Sequence, residues 1–299
     1  MFESELYIIA IKIFLSLIAL LALFILTVYI LKKLYLMQKF TEYGAGLHHL
    51  GFKGKNPFRK TAKMLRKYSP DNIIHLKEWN YLLYSKSERL HVALGFDAFE
   101  IGNYVSVTFK SKYTTMADVV GRIPNESIET AGYLSIVPIN HFDQILNVHC
   151  PFYRLYHALK LPRRARLRLS IMPVLLHVFS DENKIRQFKF MRTISSDESI
   201  TGHSKILLNV TDWLNKVPDY SKANTYACGE VVEHQKLTNQ FTGRSFHVTT
   251  IDTGIALIDV FARRRAFWQL PKKGEFIATQ GILSGYIENV LDPLVRVLD

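Results

Sequence analysis

Three histidines recur at eight-residue steps, His141, His149 and His157, and Cys150 sits beside the second. Such side chains could hold a zinc ion, or make a nucleophile and its base. The spacing serves neither. On one helix eight residues turn about 800°, which leaves successive histidines about 80° apart on no common face. No third group completes a pair between Cys150 and a histidine. Residues 43–55, YGAGLHHLGFKGK, carry the glycines and lysines of a phosphate loop. A Walker loop ending in Gly54-Lys55 needs Gly at 49 and Ser or Thr at 56, where the chain has His49 and Asn56. A dinucleotide fingerprint begun at Gly44 and Gly46 fails at the same position, and the G-x-S-x-G, H-E-x-x-H and kinase patterns are absent. The sequence therefore names no catalytic residue, no metal ligand and no cofactor. An enzyme with an unrecognised site in residues 70–220 is the third of three readings.

Two cationic clusters remain. Arg163, Arg164 and Arg166, with Lys160 and Arg168, surround Pro162. Arg263, Arg264 and Arg265, with Lys272 and Lys273, flank the aromatic pair Phe267 and Trp268, and Phe261 lies just before them. Cations interleaved with aromatic rings suit single-stranded nucleic acid, through phosphate contacts and base stacking. They also suit a protein partner's carboxylates. The balance around the second cluster decides the order. Residues 225–290 hold seven cations against six anions, whereas phosphate contacts call for a more lopsided charge. A protein-binding or scaffold role leads, and single-stranded nucleic acid is second.

The elements that carry these residues begin with a membrane segment. Residues 13–31, IFLSLIALLALFILTVYIL, are uncharged. As a helix they match a hydrocarbon core of about 30 Å. Glu3 and Glu5 precede the run, cations follow it and no A-x-A site appears, so it reads as a permanent anchor rather than a signal peptide. Residues 32–67 hold ten Lys and Arg against Glu42 alone. The positive-inside rule then puts residues 1–12 outside and the rest of the chain in the cytoplasm. Lys32, Lys33 and Lys39 are placed to meet lipid headgroups. A reducing location suits a chain with two cysteines, Cys150 and Cys228. The net charge of +12 points to anionic surroundings, and an apolar share of 48% excludes disorder as the main state.

After a basic connecting segment, 32–70, the reading is α+β. The runs NYLLYSK, RLHVALGF, NYVSVTFKSKY, ADVVGRI and GYLSIVPI are β-branched and aromatic and predict strands. Ile145, Val148, Phe152, Leu155 and Leu159 recur at three- and four-residue steps and predict a helix over 141–161, stopped by Pro162. The alternation after Arg163 predicts a strand, 181–194 fits helix or strand, and 210–217 predicts a short helix. No internal repeat is evident. Residues 71–220 thus form a mixed α+β domain, and 218–225 is the boundary.

From Tyr226 onward the chain reads as all β: 226–237, 245–252, 255–262 and 275–287, with 263–274 as a connection. A glycine marks the first strand, the second and third form a hairpin, PKKG leads into the fourth, and Gly281 to Leu283 continue it. This spacing over 225–290 resembles an OB-fold, a small Greek-key β-barrel, in which Phe267 and Trp268 would plug the bottom. The fifth strand of that fold is not evident in the tail, 291–299.

Overall fold

A computed structural model of the chain describes residues 12–31, 73–75, 79–87, 90–97, 103–124, 132–142, 144–151, 153–156, 159–187, 203–210, 222–239 and 242–288. The basic segment with Lys32, Lys33 and Lys39, and all but the first residue of the helix expected over 210–217, lie outside these residues.

The chain divides into two compact units, Met1–Gly44 and Ala45–Asp299. The first contains helix α1, Lys12–Leu31, whose 20 residues are long and apolar enough to cross a membrane. Its two aliphatic hydroxyls are satisfied within the helix. Ser16 and Thr27 each donate back one turn, to the carbonyls of Lys12 and Leu23, both at 2.8 Å. The helix is compatible with a membrane anchor.

The second unit is β-rich. A four-stranded antiparallel meander joins β1 (Ile73–His75), β2 (Trp79–Ser87), β3 (Leu90–Asp97) and β4 (Asn103–Phe109). The remaining strands share one nine-stranded mixed sheet. They are β5 (Thr115–Pro124), β6 (Gly132–Pro138), β7 (Leu146–Cys150), β8 (Arg163–Phe179), β9 (Ile206–Asn209), β10 (Asn224–Asn239), β11 (Arg244–Asp252), β12 (Leu257–Ala262) and β13 (Phe276–Ile287). The one α-helix described in this unit is α2, Glu182–Gln187, begun by Asp181, whose carboxylate accepts the Lys184 N–H.

The segment expected to be a helix over 141–161 is instead a turn, strand β7 and a 3-10 turn, Tyr153–Tyr156. Leu146, Val148 and Cys150 alternate with period two and are all fully buried, and this pattern overrides the looser three- and four-residue spacing. His149 and Cys150 are strand neighbours, so their side chains leave opposite faces and cannot act as one pair.

The strand pairings trace two circuits. In the first, β5, β6 and β7 form an antiparallel meander, β7 runs parallel to β13, and β13 and β8 return antiparallel to β5. In the second, β10, β11 and β12 form the meander, β12 runs parallel to β8, and β8 and β13 return to β10. Each circuit is three strands, a 3-10 turn, a long strand of its own and one long strand taken from the other. The β8–β13 ladder, Phe276↔Phe179 to Ile287↔Leu167, belongs to both. The sequence showed no repeat; the topology is a duplication.

A buried cluster joins the two circuits, and a smaller one of Ile185, Val210, Tyr226, Cys228, Phe276 and Ala278 lies apart from it. Ala117, Leu134 and Val148 from the first circuit and Val231, Ile251 and Val260 from the second belong to the larger cluster, with Leu167, Leu169 and Ile171 of β8 between them. Gly281 lets β8 and β13 cross closely, because a Cβ there would lie 2.1 Å from the Met172 carbonyl oxygen.

Candidate binding surface

The connection from β12 to β13 carries the second cationic cluster. After Ala262 a short 3-10 turn, Arg264–Ala266, is closed by the Ala266 N–H to the Arg263 carbonyl at 2.9 Å. The Arg264 guanidinium donates to the Phe267 carbonyl at 2.8 Å and fixes the next turn. Further on, Gly274 takes a φ of 85°, a left-handed conformation that favours glycine. Its N–H donates to the Val231 carbonyl at 2.9 Å, and Val231 donates to the Glu275 carbonyl at 2.7 Å. The loop is therefore pinned to β10 at its bulge between Val231 and Glu233.

The structure sorts the three aromatic residues expected to stack. Phe261 is buried against Phe109, with centroids 5.5 Å apart. Phe267 is buried, its ring edge-on to His234 and His247 at 6.0 Å each. Trp268 is 88% exposed. Around it Arg264, Arg265, Lys272 and Lys273 are exposed and form no ion pair among the described residues. Arg263 is half-buried; burial lowers the pKa of its guanidinium, and the charges of Arg244 and Arg265 lower it further.

The first cluster has a different fate. Arg164 makes a two-pronged pair with Asp118 across β8 and β5, at 3.0 and 3.2 Å, and this pairing holds the Asp118 carboxyl below its usual range. Arg168 pairs with Glu288 and donates to the Ser111 carbonyl. Arg163 and Arg166 are exposed and unpaired among the described residues.

Several groups escaped sequence reasoning. His234 and His247 stack at 5.2 Å, with His234 Nε2 3.2 Å from His247 Nδ1 and His234 Nδ1 2.8 Å from the Thr249 hydroxyl. Burial lowers both pKa values, and Arg264 and Lys236 add to the effect on His247. Asp259 is fully buried and accepts from the Thr250 hydroxyl and, at 3.2 Å, from the Lys112 N–H. Strand register aligns it in one buried row with His149, Ser284, Ser170 and Thr250. These residues lie far apart in sequence, so only the pairing of the strands brings them together. One signal was legible. Leu161-Pro162-Arg163-Arg164 and Leu270-Pro271-Lys272-Lys273 each lead into a long central strand, and together they mark the duplication.

Among the described residues no group of three or more His, Cys, Asp and Glu side chains could hold a metal ion. Neither cysteine forms a disulfide, and both are buried. Burial pushes the Cys228 thiol up to about 12, far from a thiolate nucleophile.

No family model matches the chain, nor does any curated protein or solved structure.

Proposed function

We propose that this chain is a single-pass membrane-anchored binding or scaffold protein, not an enzyme, that holds a protein partner through residues 263–273. Its N-terminus lies outside and its β-rich unit in the cytoplasm, by the charge asymmetry flanking α1. The observation that carries the reading is Trp268, 88% exposed among four cations without ion pairs. A soluble surface gains nothing from an isolated exposed tryptophan, whereas Trp and Arg anchor the centres of protein interfaces. The partner then offers an apolar recess rimmed by carboxylates.

The second reading, single-stranded nucleic acid, has its own support. The spatial order β10-β11-β12-β8-β13, with the first three in a meander and β12 parallel to β8, is similar to that of an OB-like barrel, with β8 coming earlier in the chain. Its fifth strand would be β8, from upstream, in place of the one sought in the tail. Trp268 would then stack a base and Arg264 and Arg265 would meet phosphates.

A photoreactive amino acid at Gln269 in the full chain tests both. A protein adduct that disappears when Arg264, Arg265, Lys272 and Lys273 become alanine supports the scaffold reading. A nuclease-sensitive adduct whose yield falls steeply with salt selects the nucleic-acid reading. Absence of either adduct overturns both.

A further inference from the structure

The start of this loop, Arg263–Arg265, adjoins further cations at the ends of β10 and β11. The β10–β11 ladder ends at Asn239↔Arg244, and the β11–β12 ladder ends at His247↔Ala262, one residue before Arg263. Continued by one step, the β11–β12 register sets Arg263 opposite Phe246, two residues from Arg244, and Arg265 follows in the 3-10 turn. The charges of Arg244 and Arg265 both act on the half-buried Arg263. Lys236 and Arg264 approach the adjoining His247. Arg244 Nη1 is buried and has no hydrogen-bond acceptor. No carboxylate forms an ion pair with Lys236, Arg244, Arg264 or Arg265 among the described residues.

Folding alone gives no reason for this arrangement. Guanidinium groups drawn together repel, and a buried donor without an acceptor costs about 1–3 kcal/mol elsewhere in proteins. A bound anion removes both penalties. Guanidinium forks match the oxygen spacing of phosphate, which accepts several N–H bonds at once. A carboxylate offers two oxygens and one charge, and it would leave part of the set unanswered.

We propose that Arg244, Arg263 and Arg265 form a site for a phosphate group at the open end of the β10–β11–β12 meander. The group comes from a free phosphate or phosphorylated small molecule, or from the headgroup of an anionic lipid. The site does not rest on the scaffold reading. A failure to find a protein partner leaves it standing, and failure of the experiment below leaves the Trp268 surface untouched.

The test uses the full chain in neutral maltoside micelles, with its unfolding temperature followed by intrinsic fluorescence. Inorganic phosphate replaces chloride at constant ionic strength and pH 7.5. The expected result is a saturable rise of about 2–4 °C. Arg244→Gln should abolish the rise and, by relieving repulsion, unfold at a higher temperature than wild type in chloride. A merely structural arginine would lower that temperature. Arg265→Gln, an exposed change that folding tolerates, should weaken the response at least threefold. Dihexanoyl phosphatidate, used below its micellar concentration, separates the sources. A rise with both compounds assigns a free phosphate group, and a rise with phosphatidate alone assigns a lipid headgroup. No rise with either compound overturns the proposal, as does an undiminished response in both variants.

Discussion

The two halves of the sheet each carry a cationic cluster near the start of their long central strand, inside β8 in one and ahead of β13 in the other, and use it differently. In the first half, Arg164 and Arg168 are answered by Asp118 and Glu288, and they fasten β5, the 110–114 loop and the end of β13 to β8. In the second, Arg264, Arg265, Lys272 and Lys273 stay unanswered beside an exposed Trp268. Similar residues near the start of each long strand thus serve cohesion in one half, through Arg164 and Arg168, and availability in the other. What separates them is the presence of acids on the facing strand, which residue counts along the chain do not reveal.

The widest test removes the element both halves share. Gly281→Ala places a methyl group 2.1 Å from the Met172 carbonyl oxygen, against backbone that has no room to yield. The expected cost is about 4 kcal/mol, measured by urea unfolding of the full chain. Both halves should unfold together; two separate transitions would break the comparison by showing that each half stands alone.

Acid should act more strongly on the first half. Burial lowers the His149 imidazole to about 4 from a usual 6.5, so the fold holds it neutral. The unfolded chain binds the extra proton first. Stability is therefore full above pH 6.5 and declines as pH falls towards 4, by up to about 3 kcal/mol. His149→Gln should flatten most of the difference between urea midpoints at pH 7.5 and pH 4.5. An equal decline in the variant would shift the cause to the His234–His247 pair of the second half.

The arginines give the sharpest contrast. Arg168→Gln removes a largely buried pair with Glu288 and the contact to Ser111, at an expected cost of about 2 kcal/mol. Arg265→Gln, exposed and unpaired, should change stability by no more than about 0.5 kcal/mol. Both values come from the same unfolding curves, and equal costs would erase the distinction between the halves.

Much of the strand content was legible because alternation survives in a half-buried strand. The runs at 117–119 and 134–138 announce their faces directly. The segment around Val148 misled because a five-residue strand followed by a 3-10 turn scatters apolar residues at helical intervals. The OB-like reading looks for a strand downstream, since sequence order suggests it; the strand that lies between β12 and β13 in the sheet is Arg163–Phe179, from upstream. The exposed Trp268 and its buried neighbour Phe267 could not be told apart by type. Their fates depend on the stacked histidines of β10 and β11, which lie about twenty to thirty residues earlier in the chain.

The shared β8–β13 ladder also imposes a schedule on biosynthesis. When residue 179 has been made, the first half possesses four of its five strands, and its closing strand begins only at Phe276. Until then β7 and β8 present open edges that could pair with a neighbouring chain. Closure over so long an interval makes the last step slow and cooperative. A ribosome that stops short of Phe276 therefore releases two unfinished sheets rather than one finished domain. Near-complete synthesis is thus a condition for either half to escape aggregation.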